Sequence, residues 1–284
     1  MYAVELVGSL KNCVRTCRIS CRTEASSSRV DHGKPALSPS RLPLLGSLSL
    51  SAAGVRACCR FPLLTWRRGL GAEICRKFAA EGCNVAVNFA NNEAPAQELA
   101  KELQRDYKVK THVVKGDGGI MADCVRCVEE TIKAFGGIDI VIGNAGWTKF
   151  TDFNDLDAMS EEDWDKCFAV NVKGQHALLK AALPTFKKNA EGGVFLITSS
   201  VAGVSLSGSS MAYSVTKAAQ LHLMKCLANT QGEKVRINAV LPGLLLTDWG
   251  NLYGEERLAM LKDRAALKQE VSLGLLGRIW RVWI

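Results

Sequence analysis

Long apolar runs are scarce in this sequence of 284 residues. The uncharged stretch 42–55 has 14 residues and is interrupted by Pro43 and Gly46, whereas a membrane-spanning helix needs about 20 mainly apolar residues. The longer uncharged stretch 192–216 is rich in glycine and serine. The N-terminus has no compact apolar core of the kind that a secretory signal contains. The sequence therefore predicts a protein with no membrane partner.

Asn-x-Ser/Thr sequons and a regular cysteine framework are also missing. Five of the 11 cysteines lie in the first 60 residues, and the others are scattered through helix-like and strand-like patterns. Cys124 and Cys127 have no second pair and no nearby histidine, so we predict no metal site. A chain this long does not need disulfides, and we expect it in the cytoplasm. A mitochondrial location is the alternative, because the N-terminus is rich in Arg and Ser and poor in acidic residues.

Positive charge is concentrated at one end of the chain. Residues 1–60 hold nine Lys and Arg against three Asp and Glu, which leaves the remaining residues with a net charge of only +2. Aromatic residues do not interleave with these basic ones, so the sequence predicts no nucleic-acid partner. We expect residues 1–60 to form a disordered basic arm.

From about residue 61 the pattern changes to short apolar strands that alternate with helices. Strands are predicted at 84–89, 111–117, 138–146, 193–199 and 236–243, and helices at 72–81, 96–107, 124–136, 161–190 and 211–229. This alternation is typical of parallel strands joined by right-handed crossovers, and the continuous apolar runs indicate that both sheet faces are covered. The predicted fold is a doubly wound parallel α/β sheet of the Rossmann type over residues 61–270, which binds its ligand at the carboxyl ends of the strands.

The stretch 199–217 carries side chains suited to proton transfer. Tyr213 and Lys217 are four positions apart, so they share one face of a helix. An ammonium group beside a phenol lowers the phenol's pKa from its ordinary value of about 10, which would make Tyr213 a general acid or base near neutral pH. Ser200 ends a predicted strand, and its hydroxyl could hold a carbonyl oxygen as negative charge develops there.

Several segments, in order, resemble the short-chain dehydrogenase/reductase family over residues 65–248. They are NAG at 144–146, FAVNVKG at 168–174, ITSSVAG at 197–203, YSVTK at 213–217 and RINAVLPGLLLTD at 236–248. The resemblance implies that Tyr213 gives or takes the proton, while Lys217 lowers its pKa and holds the nicotinamide ribose. It also implies that Ser200 polarises the substrate carbonyl and that Asn171 places a water for proton relay.

The same resemblance implies a set of cofactor contacts. They are Asp117 at the adenine, Asn144, Ala145 and Gly146 along the cofactor, and Pro242, Gly243 and Thr247 around the nicotinamide. Hydride chemistry belongs to the cofactor itself, so these residues would bind and orient it.

The glycine loop departs from the family pattern T-G-x-x-x-G-x-G. Here the loop reads TWRRGLG over residues 65–71, one residue short, with Trp66 in place of the first glycine. The cofactor phosphates would meet Arg68, Gly69, Leu70 and Gly71 at a helix N-terminus. The predicted strand at 84–89 does not end in the acidic residue that NAD-binding folds place on the ribose. Arg68, just before Gly69, suits a 2′-phosphate. We therefore predict NADP, with NAD as the alternative.

The predicted function is hydride transfer between NADP(H) and a small-molecule carbonyl or secondary alcohol. Among family members, reductases of 3-oxoacyl groups and cyclic ketones are the most similar. The alternative is a non-catalytic relative with impaired cofactor binding, because the family's last strand is not found after Asp248 and residues 271–284 follow no family pattern. The resemblance also implies a homo-oligomer, a dimer or tetramer, that pairs through the helices bearing Asn171 and Tyr213.

Overall fold

The computed structural model describes residues 4–7, 65–66, 69–248, 250–265, 268 and 270–274. In chain order the strands are β1 Val4–Val7, β2 Thr65–Trp66, β3 Val85–Phe89, β4 Thr111–Lys115, β5 Ile140–Gly143, β6 Gly193–Thr198 and β7 Val235–Pro242. The α-helices are α1 Leu70–Ala80, α2 Ala94–Tyr107, α3 Met121–Phe135, α4 Glu161–Phe168, α5 Gly174–Lys188, α6 Met211–Gln231 and α7 Glu255–Arg264. A π-helical turn, Ala169–Lys173, joins α4 to α5.

The strands from β2 onward pair in parallel, as predicted. The strands β2, β3 and β4 form one sheet in that order, and β5, β6 and β7 form part of another. A helix crosses over between successive strands, which is how parallel neighbours must be connected. The prediction of a parallel α/β fold is therefore confirmed.

Helices cover both faces of the strands. On one face, α1 and α2 pack Ile74, Phe78 and Leu103 against side chains of β3, β5 and β6. On the other face, α3, α5 and α6 pack against the alternate residues of β5, β6 and β7, among them Phe195 and Ile197. Burial on both faces explains why these strands are continuous apolar runs and not alternating ones.

The backbone pairing divides the strands into two sheets at β2. Its described part is only Thr65–Trp66, in parallel register with Val87 and Asn88 of β3. One hydrophobic cluster nevertheless includes Val87 of β3 and Ile142 of β5, so side-chain packing joins the two sheets.

Residues at both ends of the chain depart from the predicted organisation. Residues 1–60 are predicted to be disordered, but β1 pairs antiparallel with β7, with Val4 opposite Pro242. The physical reason is that a sheet edge presents unpaired N–H and C=O groups, which a short extended segment can satisfy whatever the composition around it. At the other end, Val271 is buried in the core and its N–H donates to the carbonyl of Leu244, 2.9 Å away. The first residue of the predicted tail therefore belongs to the packed body.

Close approach of α5 to the loop after β4 depends on Gly174. A Cβ on this residue would lie 2.1 Å from the carbonyl oxygen of Gly118. We expect Gly174→Ala to lower the free energy of unfolding by about 1–3 kcal/mol, because overpacking forces the backbone apart. Urea unfolding monitored by circular dichroism measures this change.

The matched control is Gly137→Ala, since a Cβ there meets nothing within 4 Å. It should change stability by less than about 0.5 kcal/mol. Equal stability of the two variants would contradict the close approach.

Candidate active site

One large cavity lies at the carboxyl ends of three parallel strands. Its volume is about 820 Å³. Asn144, Ser200 and Gly243 line it, each following the end of β5, β6 or β7. Gly69 and Leu70 at the start of α1 line it as well. This is where open parallel sheets bind their ligands, and the cavity brings the predicted glycine loop and the predicted proton-transfer residues together.

The glycine end of this cavity suits a phosphate group. Gly69 precedes α1 with φ 54° and ψ −123°, a backbone conformation that glycine adopts without steric cost. A Cβ on Gly69 would lie 2.8 Å from a methyl carbon of Thr247. Leu70 and Gly71 are buried in the first turn, where helix N–H groups and the helix dipole attract anions. Arg68 lies outside the described residues.

Tyr213 and Lys217 occupy the first two turns of α6. The hydroxyl of Ser210 caps this helix by accepting a hydrogen bond from the N–H of Tyr213, at 3.3 Å. Ser200 precedes the 3₁₀ turn Val201–Gly203 and accepts from the N–H of Ala202 at 3.1 Å. The Ser200 side chain also hydrogen-bonds the Tyr213 phenol. Three of the four predicted catalytic residues, Ser200, Tyr213 and Lys217, therefore line one cavity.

The charge states of Tyr213 and Lys217 differ from the sequence prediction. Burial raises the pKa of Tyr213 above its ordinary value, although the hydrogen bond from Ser200 acts in the opposite direction. Burial lowers the pKa of Lys217 to about 7. The Lys217 nitrogen lies 5.4 Å from the centre of the Tyr213 ring. The predicted lowering of the Tyr213 pKa is wrong for this structure, because desolvation disfavours the charged form of each group.

Lys217 is held by two oxygen atoms at the base of the cavity. Its side-chain nitrogen donates to the carbonyl of Thr198, 2.8 Å away, and to Oε1 of Gln220, 3.1 Å away. The backbone carbonyl of Lys217 accepts from the hydroxyl of Ser199 at 3.1 Å. These contacts tie the lysine and its helix to the end of β6.

Asn171 lies behind the cavity, not on its wall. It is fully buried in the π-helical turn, and its side chain donates to the carbonyl of Trp147 and to the hydroxyl of Thr216, both at 3.0 Å. Its backbone carbonyl accepts from Nε2 of Gln220 at 2.5 Å. The link from Asn171 to Lys217 therefore runs through Gln220, and the predicted water at Asn171 stays a prediction.

Three of the predicted cofactor contacts line a second, small cavity. Its volume is about 20 Å³, and Asp117, Asn144 and Ala145 are among its lining residues. The carboxylate of Asp117 accepts from the N–H of Gly119 at 2.8 Å, and Oδ1 of Asn144 accepts from the hydroxyl of Thr198 at 2.9 Å. Asn144 lines both cavities, so the small cavity adjoins the large one.

Gly146 and the predicted nicotinamide frame lie on the wall of the large cavity. Pro242, Gly243 and Thr247 form that frame, and all four residues line the cavity. Gly146 follows β5, and the other three lie at and beyond the end of β7. The structure therefore brings every described residue of the predicted cofactor set to one of the two adjoining cavities or to the first turn of α1.

One site residue has no place in the sequence analysis. Gln220 contacts both Lys217 and Asn171, and its spacing, three residues after Lys217, is a helical signal that could have placed it near the lysine. Tyr253 belongs to the segment after Pro242 that the sequence predicts to shape the substrate side, and it lines the cavity and stacks edge-on against Phe150 with ring centres 5.0 Å apart.

The fold and the site define a doubly wound α/β protein with serine, tyrosine and lysine at the carboxyl edge of a parallel sheet. Residues 65–257 match the family described as short chain dehydrogenase. The chain belongs to this family.

Three known proteins illustrate the similarity. A 3-oxoacyl-(acyl-carrier-protein) reductase of Staphylococcus epidermidis is 28% identical over 71% of this chain and 81% of its own length. An NADP-dependent mannitol dehydrogenase of Hypocrea jecorina is 32% identical over 66% of this chain and 70% of its own length. The crystal structure of a short chain dehydrogenase from Burkholderia cenocepacia in complex with NADP superposes with a TM-score of 0.71 at 25% identity, covering 78% of this chain and 88% of that one.

The part of the chain that the structure describes shows neither a membrane-spanning helix nor a metal-binding cluster. None of its helices there combines the length and the apolar character needed to cross a membrane. The same residues contain no group of three or more His, Cys, Asp or Glu side chains placed to hold a metal ion.

The lowered pKa of Lys217 makes stability depend on pH. Unfolding exposes the amine, whose ordinary pKa is 10.5. Above pH of about 7 the unfolded chain therefore holds a proton that the folded chain lacks, so stability rises with pH by up to about 1.4 kcal/mol per unit. Urea unfolding of the parent protein and of Lys217→Met between about pH 7 and about pH 8 isolates this slope as the difference between the two profiles, because exposed thiols, which ionise around pH 8.5, contribute equally to both.

Lys217→Met is the control for this slope. The variant replaces the amine with an uncharged side chain of similar length, so its profile should lack the lysine's contribution while the thiols contribute as in the parent protein. An unchanged slope in the variant would assign the pH dependence to another group.

Proposed function

We propose that this protein is an oxidoreductase that transfers a hydride between NADP(H) and a carbonyl or secondary alcohol. The observation that carries the proposal is the Ser200–Tyr213 hydrogen bond above Lys217, in a cavity that also reaches the N-terminus of α1. Family membership supports this reaction class.

The residues present fit a dinucleotide. The start of α1 and Gly69 would receive the phosphates, and Asp117 and Asn144 would lie on the adenine side. Pro242, Gly243 and Thr247 would lie beside the nicotinamide, which supplies or accepts the hydride when bound. The mannitol dehydrogenase named as NADP-dependent and the neighbour crystallised with NADP favour NADP for this chain. NAD remains the alternative.

Tyr213 is suited to donating a proton during carbonyl reduction. Its raised pKa keeps the phenol protonated at neutral pH, which is the form required of a general acid. Ser200 would donate a hydrogen bond to the same carbonyl oxygen as negative charge develops there. The third N–H of a protonated Lys217 would lie beneath Tyr213 and favour the phenolate that remains after proton transfer.

The substrate side of the cavity is apolar. Phe153, Leu206, Leu252 and Met260 line it, and Leu206 is fully exposed. Lys217 and Asp248 are the only acidic or basic side chains among the described lining residues. A neutral, apolar carbonyl compound fits this lining better than a carboxylate or phosphate would, because buried charges need partners.

The rival proposal is a non-catalytic member of the family. Trp66 occupies the position of the first loop glycine, and the described part of β2 is two residues long. The family pattern has a glycine there, which can make a tight turn at no steric cost. Cofactor binding decides between the two proposals.

The deciding experiment is a titration of the purified protein with NADPH and then with NADH, followed by cofactor fluorescence. Saturable binding that is tighter for NADPH supports the oxidoreductase and justifies a screen of neutral ketones. A cooperatively folded protein that binds neither cofactor at millimolar concentration overturns the proposal and supports the non-catalytic reading.

Replacement of Tyr213 by Phe tests the proton donor. We expect kcat for ketone reduction to fall by about 100-fold to 10,000-fold, the usual contribution of a general acid. The affinity for NADPH, measured by fluorescence, should change little because the ring remains. Tyr107→Phe, at the end of α2 and outside both cavities, is the control and should retain activity. Activity of the Tyr213 variant within a few-fold of the parent protein would rule out this role.

A homo-oligomer stays a prediction. The helices expected to pair are those bearing Asn171 and Tyr213, and light scattering of the purified protein measures the mass that tests it.

A further inference from the structure

Gln220 is buried between two residues of the proposed site. It lies on α6, three residues after Lys217, and has no exposed surface. Its Oε1 accepts from the side-chain nitrogen of Lys217 at 3.1 Å, and its Nε2 donates to the backbone carbonyl of Asn171 at 2.5 Å. One side-chain amide therefore connects the lysine on α6 to the π-helical turn between α4 and α5.

The direction of these hydrogen bonds is fixed by chemistry. An amide has one accepting oxygen and one donating nitrogen, whereas a lysine nitrogen in the ammonium form only donates and a backbone carbonyl only accepts. Turning the amide around would place its oxygen against the Asn171 carbonyl oxygen whatever the charge of the lysine, and its NH₂ group against the donors of an ammonium Lys217. Gln220 can therefore satisfy both neighbours in only one orientation, and that orientation is the one observed.

The number of oxygen atoms that Lys217 contacts determines which of its N–H groups are occupied. The carbonyl of Thr198 and Oε1 of Gln220 match the two N–H groups of a neutral amine. A protonated Lys217 has one further N–H, and the two contacts direct it away from Thr198 and Gln220. The ionisable groups that face Lys217 are Tyr213 on the same helix and Cys167 at the end of α4. None of the ion pairs between described residues includes Lys217.

We propose that Gln220 is a positioning residue that sets both the place and the protonation of Lys217 beneath Tyr213. Its oxygen holds the lysine nitrogen, and its nitrogen anchors the arrangement to the Asn171 carbonyl. Because Gln220 is neutral, it holds the lysine without supplying the negative charge that would favour the ammonium form. The kinetic part of this inference rests on the proposed function, but the effect on protonation does not.

Two substitutions separate the two roles of the amide. Gln220→Glu keeps an oxygen for Lys217, adds a proton-binding carboxyl and removes the donor to Asn171. Gln220→Leu removes both hydrogen bonds and replaces the amide with an apolar side chain. Gln175→Met is the matched control, because Gln175 is equally buried but donates to the carbonyl of Ala145 and not toward Lys217.

The first readout is the pH dependence of urea unfolding, which needs no cofactor. In the Gln220→Glu variant the Lys–Glu pair binds one proton in both the folded and the unfolded chain near pH 8, so its stability profile between about pH 7 and about pH 8 should match that of Lys217→Met. In Gln220→Leu the rise should begin at least about one pH unit lower, since the lysine loses a partner. Gln175→Met should keep the parent profile.

The second readout is kinetic and uses the parent protein's ketone substrate. Gln220→Leu should lower kcat by about tenfold or more with little change in the KM for NADPH, and the midpoint of its pH–rate profile should move. Gln220→Glu should recover part of kcat, because it again offers an oxygen to Lys217.

The outcomes are separable. Identical pH profiles of stability in the parent, Gln220→Glu and Gln220→Leu proteins overturn the inference, as does a parent profile that matches that of Lys217→Met. If Gln220→Leu does not fold, the Gln220→Glu profile alone decides. Absence of NADPH binding together with the expected stability profiles overturns the proposed function and leaves the positioning of Lys217 supported.

Discussion

Burial of the Lys217 side chain is the constraint on which the site depends. An amine removed from water loses its hydration, and it is tolerated when oxygen atoms replace the water and when its pKa falls. Both conditions are met, by the carbonyl of Thr198 and Oε1 of Gln220 and by a pKa of about 7. Each partner comes from a fixed element, the end of β6 or the next turn of α6. The lysine therefore fixes the position of α6 relative to the sheet.

The positions of the other site residues depend on this placement of α6. Tyr213 is held in the first turn of α6 by the Ser210 cap, and Ser200 reaches its phenol from the end of β6. The parallel strands β5, β6 and β7 all end at one edge, so the loops after them enclose a single cavity with the start of α1. Proton-transfer residues and the expected phosphate site thus share a cavity, although Gly71 and Tyr213 are 142 residues apart in sequence.

Much of the fold could be predicted because its local patterns agree with one another. The apolar run at 193–199 predicted a strand, and β6 occupies Gly193–Thr198. The αL residue Gly136 ends α3 where the glycine predicted an end. The edge strand β1 could not be predicted, because its pairing depends on the backbone N–H and C=O groups that β7 presents at the sheet edge, and not on its own composition. The pKa of Tyr213 was wrongly predicted because it, too, depends on tertiary packing. Helical spacing places a lysine nearby, but burial determines which charge state is stable.

The sequence by itself determined the alternation of strands and helices, the family and the residues Ser200, Tyr213 and Lys217 that meet at the site. These depend on periodicity and on motifs, which are local properties of the chain. Only the tertiary structure decided that Gln220 joins Lys217 to Asn171, that Asn171 lies behind the cavity, and that desolvation acts on both the tyrosine and the lysine. These features arise where three separate elements pack together, and hydrogen-bond partners and burial are settled by that packing and by no single segment.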